Sequence, residues 1–234
     1  AGAGIGTDGT SFMFSVSENN WLGRGIKLAT ELNLSQTSVS GNIAINNPNF
    51  NYTGNSVYTS LEVASADRTD SSGFTSSNTG FALGTEFEQY EDLYLSPSLK
   101  ILYEDIDVDN SASSAIKKMD GTFTNIDFIY GITQDKRDQP FKTTSGYRTK
   151  WIQSLPLLMD QSSIMNGIDF SMYKAITEDV IGSVKVFGRS IHGIDEEDVR
   201  LTSRLFIPQS RLRGFNSFKI GPKDGEDYIG GNYV

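Results

Sequence analysis

Cysteine is absent from the 234 residues, and histidine occurs once, as His192. The lack of cysteine excludes a disulfide framework, a thiolate nucleophile and a cysteine-ligated metal site. The single histidine excludes a metal site with several histidine ligands, and a histidine-dependent catalytic triad would have to use His192. Basic residues are also few, since 20 Lys and Arg face 29 Asp and Glu and give a net charge of −9 at pH 7. An acidic chain without a basic stripe argues against nucleic-acid binding.

Long hydrophobic runs are missing as well. The densest apolar run, 155–159, contains Pro156, whereas a membrane-spanning helix needs about 20 apolar residues. The first residues show neither a basic nor an apolar leader segment, so no signal peptide is visible. Hydrophobic residues make up 37% and charged residues 21% of the chain, and glycine contributes 23 residues. This composition suits β-strands that are apolar on one face only, and membrane-spanning strands need just ~9–11 residues.

Apolar and polar residues alternate along most of the chain. In segment 26–34, four apolar residues share one face, while Lys27, Glu31 and Asn33 share the other. The same period of two recurs through to a segment at 180–191, and turn-forming stretches rich in Gly, Asn and Asp separate the repeats. A helix would scatter these charges around its whole circumference. The pattern predicts an all-β antiparallel meander of about eleven strands, with no helix between them.

Two architectures fit this alternation. A soluble β-sandwich would bury the apolar faces between two sheets, whereas a transmembrane barrel would turn them to lipid around a wet lumen. Strands longer than ~10 residues and many charges on the polar faces favour the barrel. Leu28 and Leu32 are then expected to point outward. The residues expected to point inward are Lys27, Glu31, Lys185 and Arg189.

Two motifs of ligand-binding proteins occur without their structural context. Gly4, Gly6 and Gly9 match a dinucleotide fingerprint, but the fingerprint requires a helix after the last glycine, and an alternating strand follows here. Segment 105–110 resembles the start of a calcium loop, but Asn110 and Ile116 stand where an EF-hand needs Gly and Glu. We interpret the first as a glycine-rich strand and turn and the second as an acidic loop mouth.

The acidic side chains give no sign of catalysis. Glu86 and Glu88 share one strand face, and 195–198 is an acidic run, but paired carboxylates do acid–base work only in a pocket that separates their pKa values. His192 has no serine in a nucleophile-elbow context and is interpreted as a loop histidine. We therefore expect no enzymatic activity, no cofactor and no metal site.

The segment from 192 to 231 differs from the rest of the chain. A connection of about forty residues inside a meander is usually functional or disordered. Apolar residues that would need burial argue against disorder, and these are Phe206, Ile207, Leu212, Phe215, Phe218 and Ile220. A long loop with apolar anchors and a central arginine is suited to packing into a cavity.

The motif Leu212-Arg213-Gly214-Phe215, followed by Gly221-Pro222 and by Gly-Gly-Asn at 230–232, resembles the sixth-loop motif of the BamA family of outer-membrane protein assembly factors. Segments 18–25 and 47–50 resemble the opening strands of that family's barrel. Segment 135–146 resembles its mid-barrel turn. The resemblance follows the chain in order over essentially its whole length.

The resemblance implies a transmembrane barrel of sixteen strands, preceded by periplasmic POTRA domains. Residues 1–234 would form one partial barrel domain of about eleven strands, from the first strand to the start of the twelfth. Such a sheet cannot close, because strand number and diameter are linked, so a gap is expected between its two edges. The long sixth loop, about 192–231, would be directed into the lumen.

The resemblance also implies a function, the assembly and insertion of β-barrel proteins in the outer membrane as the core barrel of an assembly machine. The implied partners are the outer-membrane bilayer, unfolded β-barrel clients and assembly-complex lipoproteins, with no nucleic acid. An outer-membrane secretion pore of the same superfamily, a two-partner-secretion or TamA-like translocator, is the alternative. The implied functional residues are Arg213, Gly214, Phe215, Gly221 and Pro222. The resemblance pairs Arg213 with acidic residues of later strands that these 234 residues do not include. Arg213 is therefore expected here either to lack full pairing or to use an acidic residue of the present inner wall, and Phe215 is expected to pack on the inner wall.

Overall fold

The computed structural model describes residues 1–6, 9–110, 112, 114–159, 163–194, 198–208, 211–216 and 218–234. This part of the chain holds one eleven-stranded sheet, in which every strand is antiparallel to its neighbours and the spatial order equals the chain order. The strands are β1 (Gly2–Gly6), β2 (Gly9–Trp21), β3 (Ile26–Ser35), β4 (Ser38–Asn47), β5 (Ser56–Asp67), β6 (Phe74–Tyr90), β7 (Leu93–Val108), β8 (Gly121–Asp135), β9 (Gly146–Met159), β10 (Ser163–Ala175) and β11 (Ile181–Gly193). The predicted meander is confirmed.

The connections contain short helices that alternation does not predict. They are α1 (Thr69–Ser72), α2 (Ser114–Lys117) and two 3-10 turns at Phe50–Tyr52 and Leu201–Ser203. The expectation of no helix between strands was therefore wrong in detail, because a single turn is too short to show a helical period. No helix in the described ranges is both long and apolar enough to cross a membrane.

The strand register gathers the apolar side chains on one face. Directly paired residues form a row across seven strands, namely Thr30, Ile43, Leu61, Phe81, Ile101, Ile126 and Leu158. Leu61 stays 46% exposed and Ile101 43% exposed. Leu32 lies on the same face and is 41% exposed. The predicted outward apolar face is confirmed, because its side chains remain exposed in the described part of the chain.

A polar row interrupts this apolar face. The Tyr130 hydroxyl donates to Gln153 Oε1 at 2.6 Å, and Gln153 Nε2 donates to Asn166 Oδ1 at 2.6 Å. The register places the row beside another row of the same face, in which Trp151 pairs with Ile168. Two side-chain amides therefore point outward among apolar neighbours and are joined by one hydrogen bond.

The sheet is open, as predicted. The free edge of β1 has no partner strand among the described residues. At the other edge, the last residues of the chain pair with β11: the Arg189 amide donates to the Val234 carbonyl at 2.8 Å, and the Val234 amide donates back at 3.0 Å. His192 lies inside β11 rather than in a loop, and its Nε2 is 2.6 Å from the Tyr233 hydroxyl. The position of His192 corrects the sequence interpretation.

The rejected ligand motifs lie in regular strand structure. Gly2–Gly6 and Gly9–Trp21 form the hairpin of β1 and β2, and residues 7 and 8 lie outside the described ranges. Asp105 and Asp107 belong to β7. Residues 195–197 of the acidic run are also outside the described ranges.

A small apolar core closes one end of the polar face. It gathers side chains from the start of β6, the end of β7 and the β7–β8 connection, namely Phe74, Ile106, Ala112, Ile116 and Met119. Ile106 and Ile116 are each only 1% exposed. Ile229, far along the chain in the long loop, packs against this core. The loop therefore folds back onto the polar face of the sheet, which becomes its inner face.

Candidate functional site, a long loop on the inner face

The base of the long loop is fixed by a buried arginine. Arg200 is 6% exposed and Glu104 of β7 is 9% exposed. Arg200 Nη2 lies 3.2 Å from Glu104 Oε2. The Thr202 hydroxyl donates to the same carboxylate oxygen at 3.3 Å. Two residues of the loop thus converge on one inner-wall carboxylate.

Strand β8 completes the arginine's surroundings. The Phe123 ring lies under the Arg200 guanidinium, with 4.5 Å between Cζ and the ring centroid. The Asn125 carboxamide satisfies its neighbours when its oxygen faces Arg200 Nη2 at 2.6 Å and its nitrogen faces the Thr124 carbonyl at 3.2 Å. A carboxylate and an amide oxygen thus lie at Nη2, and a ring face packs against the guanidinium.

The tip of the loop reaches the opposite part of the inner wall. Arg211 Nη2 lies 3.6 Å from Asp169 Oδ1 of β10, and its Cζ is 4.8 Å from the Phe187 ring centroid. Arg189 of β11 pairs with the other oxygen of Asp169 and covers the same ring at 4.5 Å. Asp169 therefore forms ion pairs with one arginine of the inner wall, Arg189, and one of the loop, Arg211.

The absence of a side chain at Gly167 makes room for the wall arginine. A Cβ there would lie 2.6 Å from Cδ of Arg189. Arg189 can therefore lie flat across β10, and Nη1 donates to the Ile168 carbonyl at 3.0 Å. This arrangement holds Arg189 beside Asp169.

A third contact joins the loop to the β5–β6 connection. The Arg68 guanidinium lies 4.1 Å from the ring centroid of Phe218 and 5.7 Å from that of Phe74. Phe206 meets Phe218 edge to face, with 5.3 Å between ring centroids. Burial lowers the pKa of the Arg68 guanidinium from its ordinary value, and the nearby Glu104 carboxylate opposes this shift. The loop thus contacts the β5–β6 connection and strands β7, β8, β10 and β11.

The loop has a neck and a lobe. Leu205 and Gly231 exchange two backbone hydrogen bonds of 2.8 and 2.9 Å, so they join the outgoing and returning arms. A Cβ at Gly230 would approach the Phe206 ring to 2.8 Å, so the arms are in close contact. The lobe beyond the neck carries the small hairpin of β12 (Lys223–Asp224) and β13 (Asp227–Tyr228).

The five residues implied by the resemblance lie in this lobe. Arg213 is exposed and forms no hydrogen bond or ion pair with any described residue. Gly214 and Gly221 have φ values of +89° and +127°. Phe215 is 52% exposed, and the Pro222 carbonyl accepts from the Ile229 amide at 3.0 Å.

Two contacts of the lobe with the rest of the structure are made by residues that flank the motif. The arginine that reaches a wall acid is Arg211, two residues before Arg213. The ring of Phe218, three residues after Phe215, lies against the Arg68 guanidinium of the β5–β6 connection. Arg213 itself is exposed, two residues from the wall contact of Arg211.

The segment that resembles the mid-barrel turn is a compact β8–β9 connection. Arg137 forms a bidentate ion pair with Asp135, in which Nε lies 2.8 Å from Oδ1 and Nη2 lies 2.7 Å from Oδ2. The Thr144 hydroxyl donates to Asp138, and this bond lowers the pKa of the Asp138 carboxyl. Gly146 has φ +95°, and a Cβ there would lie 2.0 Å from the Lys136 carbonyl oxygen.

Comparison with known proteins decides the family of this fold. The family model described as the Omp85 superfamily domain matches residues 20–234. The chain belongs to the Omp85 superfamily. Its fold is similar to "The crystal structure of BamA from Haemophilus ducreyi lacking POTRA domains 1-3", with a TM-score of 0.80 and 18% sequence identity. The match covers 97% of this chain and 49% of that one, so the chain spans about half the length of that structure.

The Omp85 fold accounts for the open sheet as part of a barrel. The residues that fix the loop in this Omp85 chain, Arg200, Glu104, Asp169 and Arg211, were missed by motif analysis. Asp169 stands between Ile168 and Phe170, so alternation predicts it on the polar face, but alternation carries no signal for its partner. Arg200 lies in a polar stretch with no periodic pattern, so only folding of the loop identifies it.

Proposed function

We propose that this Omp85 chain is the core barrel of a machine that inserts β-barrel proteins into the bacterial outer membrane. Membership of the superfamily and the structural likeness to BamA support the proposal. The observation that carries it is the long loop, which folds back onto the inner face and leaves Arg213 exposed there. The work needs no covalent chemistry, because hydrogen bonding between strands supplies the driving force.

Strand β1 suits a seam that exchanges partners. Its glycines, Gly2, Gly4 and Gly6, supply little side-chain packing. An open strand edge is a template for another strand, and backbone groups in lipid must all be paired. A client strand could therefore pair at such an edge before it leaves as part of a closed barrel.

The proposed partners follow from this role. The outward apolar face contacts the outer-membrane bilayer, unfolded β-barrel clients approach the seam, and assembly-complex lipoproteins are the accessory partners. Nucleic acid is not among the proposed partners, because the net charge of −9 opposes binding to the phosphate backbone.

A secretion pore of the same superfamily is the second candidate. It is favoured by the hydrophilic inner wall of β3 to β6, where a groove is lined by Glu31, Asn33, Asn42, Glu62 and Asn78. A polypeptide in transit would require such a wetted surface. Depletion of the protein separates the two functions, since an insertase affects many outer-membrane barrels and a pore affects one exported substrate.

Arg213→Ala in the protein as the cell makes it tests the role of the loop. The expected result is lower steady-state levels of several β-barrel proteins at unchanged abundance of the Arg213→Ala protein itself. Lys219→Ala, an exposed cation of the same lobe, is the matched control. Full assembly activity in the Arg213→Ala strain would contradict the proposed role.

A further inference from the structure

Glu104, Phe123 and Asn125 form a built receptor for one guanidinium on the inner wall. All three lie on adjacent strands, and the register pairs Glu104 with Phe123 directly. Glu104 and Asn125 are 9% and 4% exposed. A carboxylate and an amide this deeply buried need a fixed partner, because an uncompensated polar group in the interior is costly.

Arg200 is the partner that occupies this receptor. Its side chain is 4% exposed, against 42% for Arg211 at the tip. Buried pairs are screened little by water and salt, whereas half-exposed pairs contribute little. The loop is therefore attached in two different ways. The Arg200–Glu104 pair at its base is fixed, whereas the Arg211–Asp169 pair at its tip is exchangeable.

We propose that Arg200 is the positioning residue of the long loop, and that Glu104, Phe123 and Asn125 are its receptor on the inner wall. The neck transmits this attachment to both arms, since Leu205 is bonded to Gly231 and the chain then pairs with β11. The lobe is thereby held over the inner face while Arg213 stays exposed. The functional consequence of this positioning rests on the proposed assembly role.

Trypsin cleavage of the folded protein in detergent micelles tests the attachment itself. The lobe offers cleavage sites at Arg211, Arg213 and Lys219. Loss of the base contact should free the lobe and raise the rate of cleavage there by about tenfold or more, since proteolysis follows local opening. The variants are Glu104→Gln, which keeps the shape of the receptor, and Arg200→Lys, which keeps the charge but loses the planar fork.

Arg204→Ala is the matched control. This arginine lies four residues from Arg200, but its partners are the Asp198 carboxylate and the Val199 carbonyl within the loop itself. Its removal should leave lobe cleavage within about twofold of the parent. The rate of lobe cleavage in Glu104→Gln and in Arg200→Lys should be clearly higher than in Arg204→Ala. Glu104→Gln should give the larger increase, because it removes the carboxylate charge that pairs with Arg200.

The outcomes separate the inference from the proposed function. Faster lobe cleavage with impaired client assembly supports both. Faster cleavage with normal assembly supports the positioning role and counts against the assembly role of the loop. Cleavage in Glu104→Gln that equals the Arg204→Ala control overturns the positioning role, whatever happens to assembly. Retention of the heat-sensitive, fast-migrating barrel band on gels shows that each variant is folded.

Discussion

The side-chain amide of Gln153 donates to Asn166 at 2.6 Å on the outward face of the sheet. In lipid, an amide without a partner has no water to bond, so each of these groups depends on the other. Tyr130 extends the row by donating to Gln153 at 2.6 Å.

Asn166→Leu should lower the free energy of unfolding by roughly 1–3 kcal/mol, because it leaves the Gln153 amide unpaired. The triple variant Tyr130→Phe, Gln153→Leu, Asn166→Leu removes the whole row and should be at least as stable as Asn166→Leu alone. Urea titration of the protein in lipid vesicles measures both. A triple variant that is clearly less stable than the single one would show that the row faces a polar partner rather than lipid.

Leu61→Arg should oppose insertion into lipid. Leu61 belongs to the outward apolar row and lies near the middle of β5 (Ser56–Asp67). Arginine near the bilayer midplane costs about 2–4 kcal/mol in transmembrane barrels. Ala64→Arg, on the opposite face of the same strand and beside acidic Glu62, is the control and should be tolerated. The yield of folded protein in vesicles distinguishes them, and equal yields would contradict the outward assignment.

Gly146→Ala should destabilise the β8–β9 connection. The substitution forces an L side chain to φ +95° and brings its Cβ to 2.0 Å from the Lys136 carbonyl oxygen. Strain of this kind costs on the order of 1–3 kcal/mol before the clash is added. Gly121→Ala, at φ +125° with open space around it, carries only the conformational part. The melting temperature should therefore fall further in Gly146→Ala than in Gly121→Ala. The reverse order would reject the steric explanation.

The β8–β9 turn should loosen in acid. The hydrogen bond from Thr144 lowers the pKa of Asp138 in the folded protein, so its stabilising effect is present above the unfolded value of about 3.9 and is lost as the pH falls through the lower folded pKa. Amide exchange at Thr144 and Ser145, measured from about pH 5 down to pH 3, should accelerate beyond its intrinsic trend. Asp138→Asn should abolish this additional acceleration of exchange in acid. If the acceleration persists in the variant, a group other than Asp138 causes it.

Alternation predicted the strands well because the register of a sheet repeats locally. Segment 26–34 became β3 (Ile26–Ser35), with Leu28 and Leu32 on the outward face. The same periodicity could not reveal α1 or α2, which are single turns. It also could not place His192, because the strand continues two residues past the last alternating residue.

The loop contacts were beyond sequence reasoning for a different reason. Arg200 meets Glu104 across the interior, and such a pairing depends on the path of the whole loop rather than on neighbouring residues. The family resemblance directed attention to Arg213, whereas the wall contact in the lobe belongs to Arg211. A motif identifies the loop, and only the fold shows which of its arginines touch the wall.

Cross-linking between the loop and β11 tests the central claim, that the long loop lies on the inner face. No cysteine occurs in the 234 residues, so introduced pairs can be assigned to peptides by mass spectrometry. With a short bifunctional thiol reagent, Arg211→Cys should cross-link to Phe187→Cys, because these side chains are in contact. Arg211→Cys should not cross-link to Val186→Cys, the next residue, which points outward and is 51% exposed. Cross-linking to position 186 in preference to 187 would place the loop outside the sheet and contradict the account.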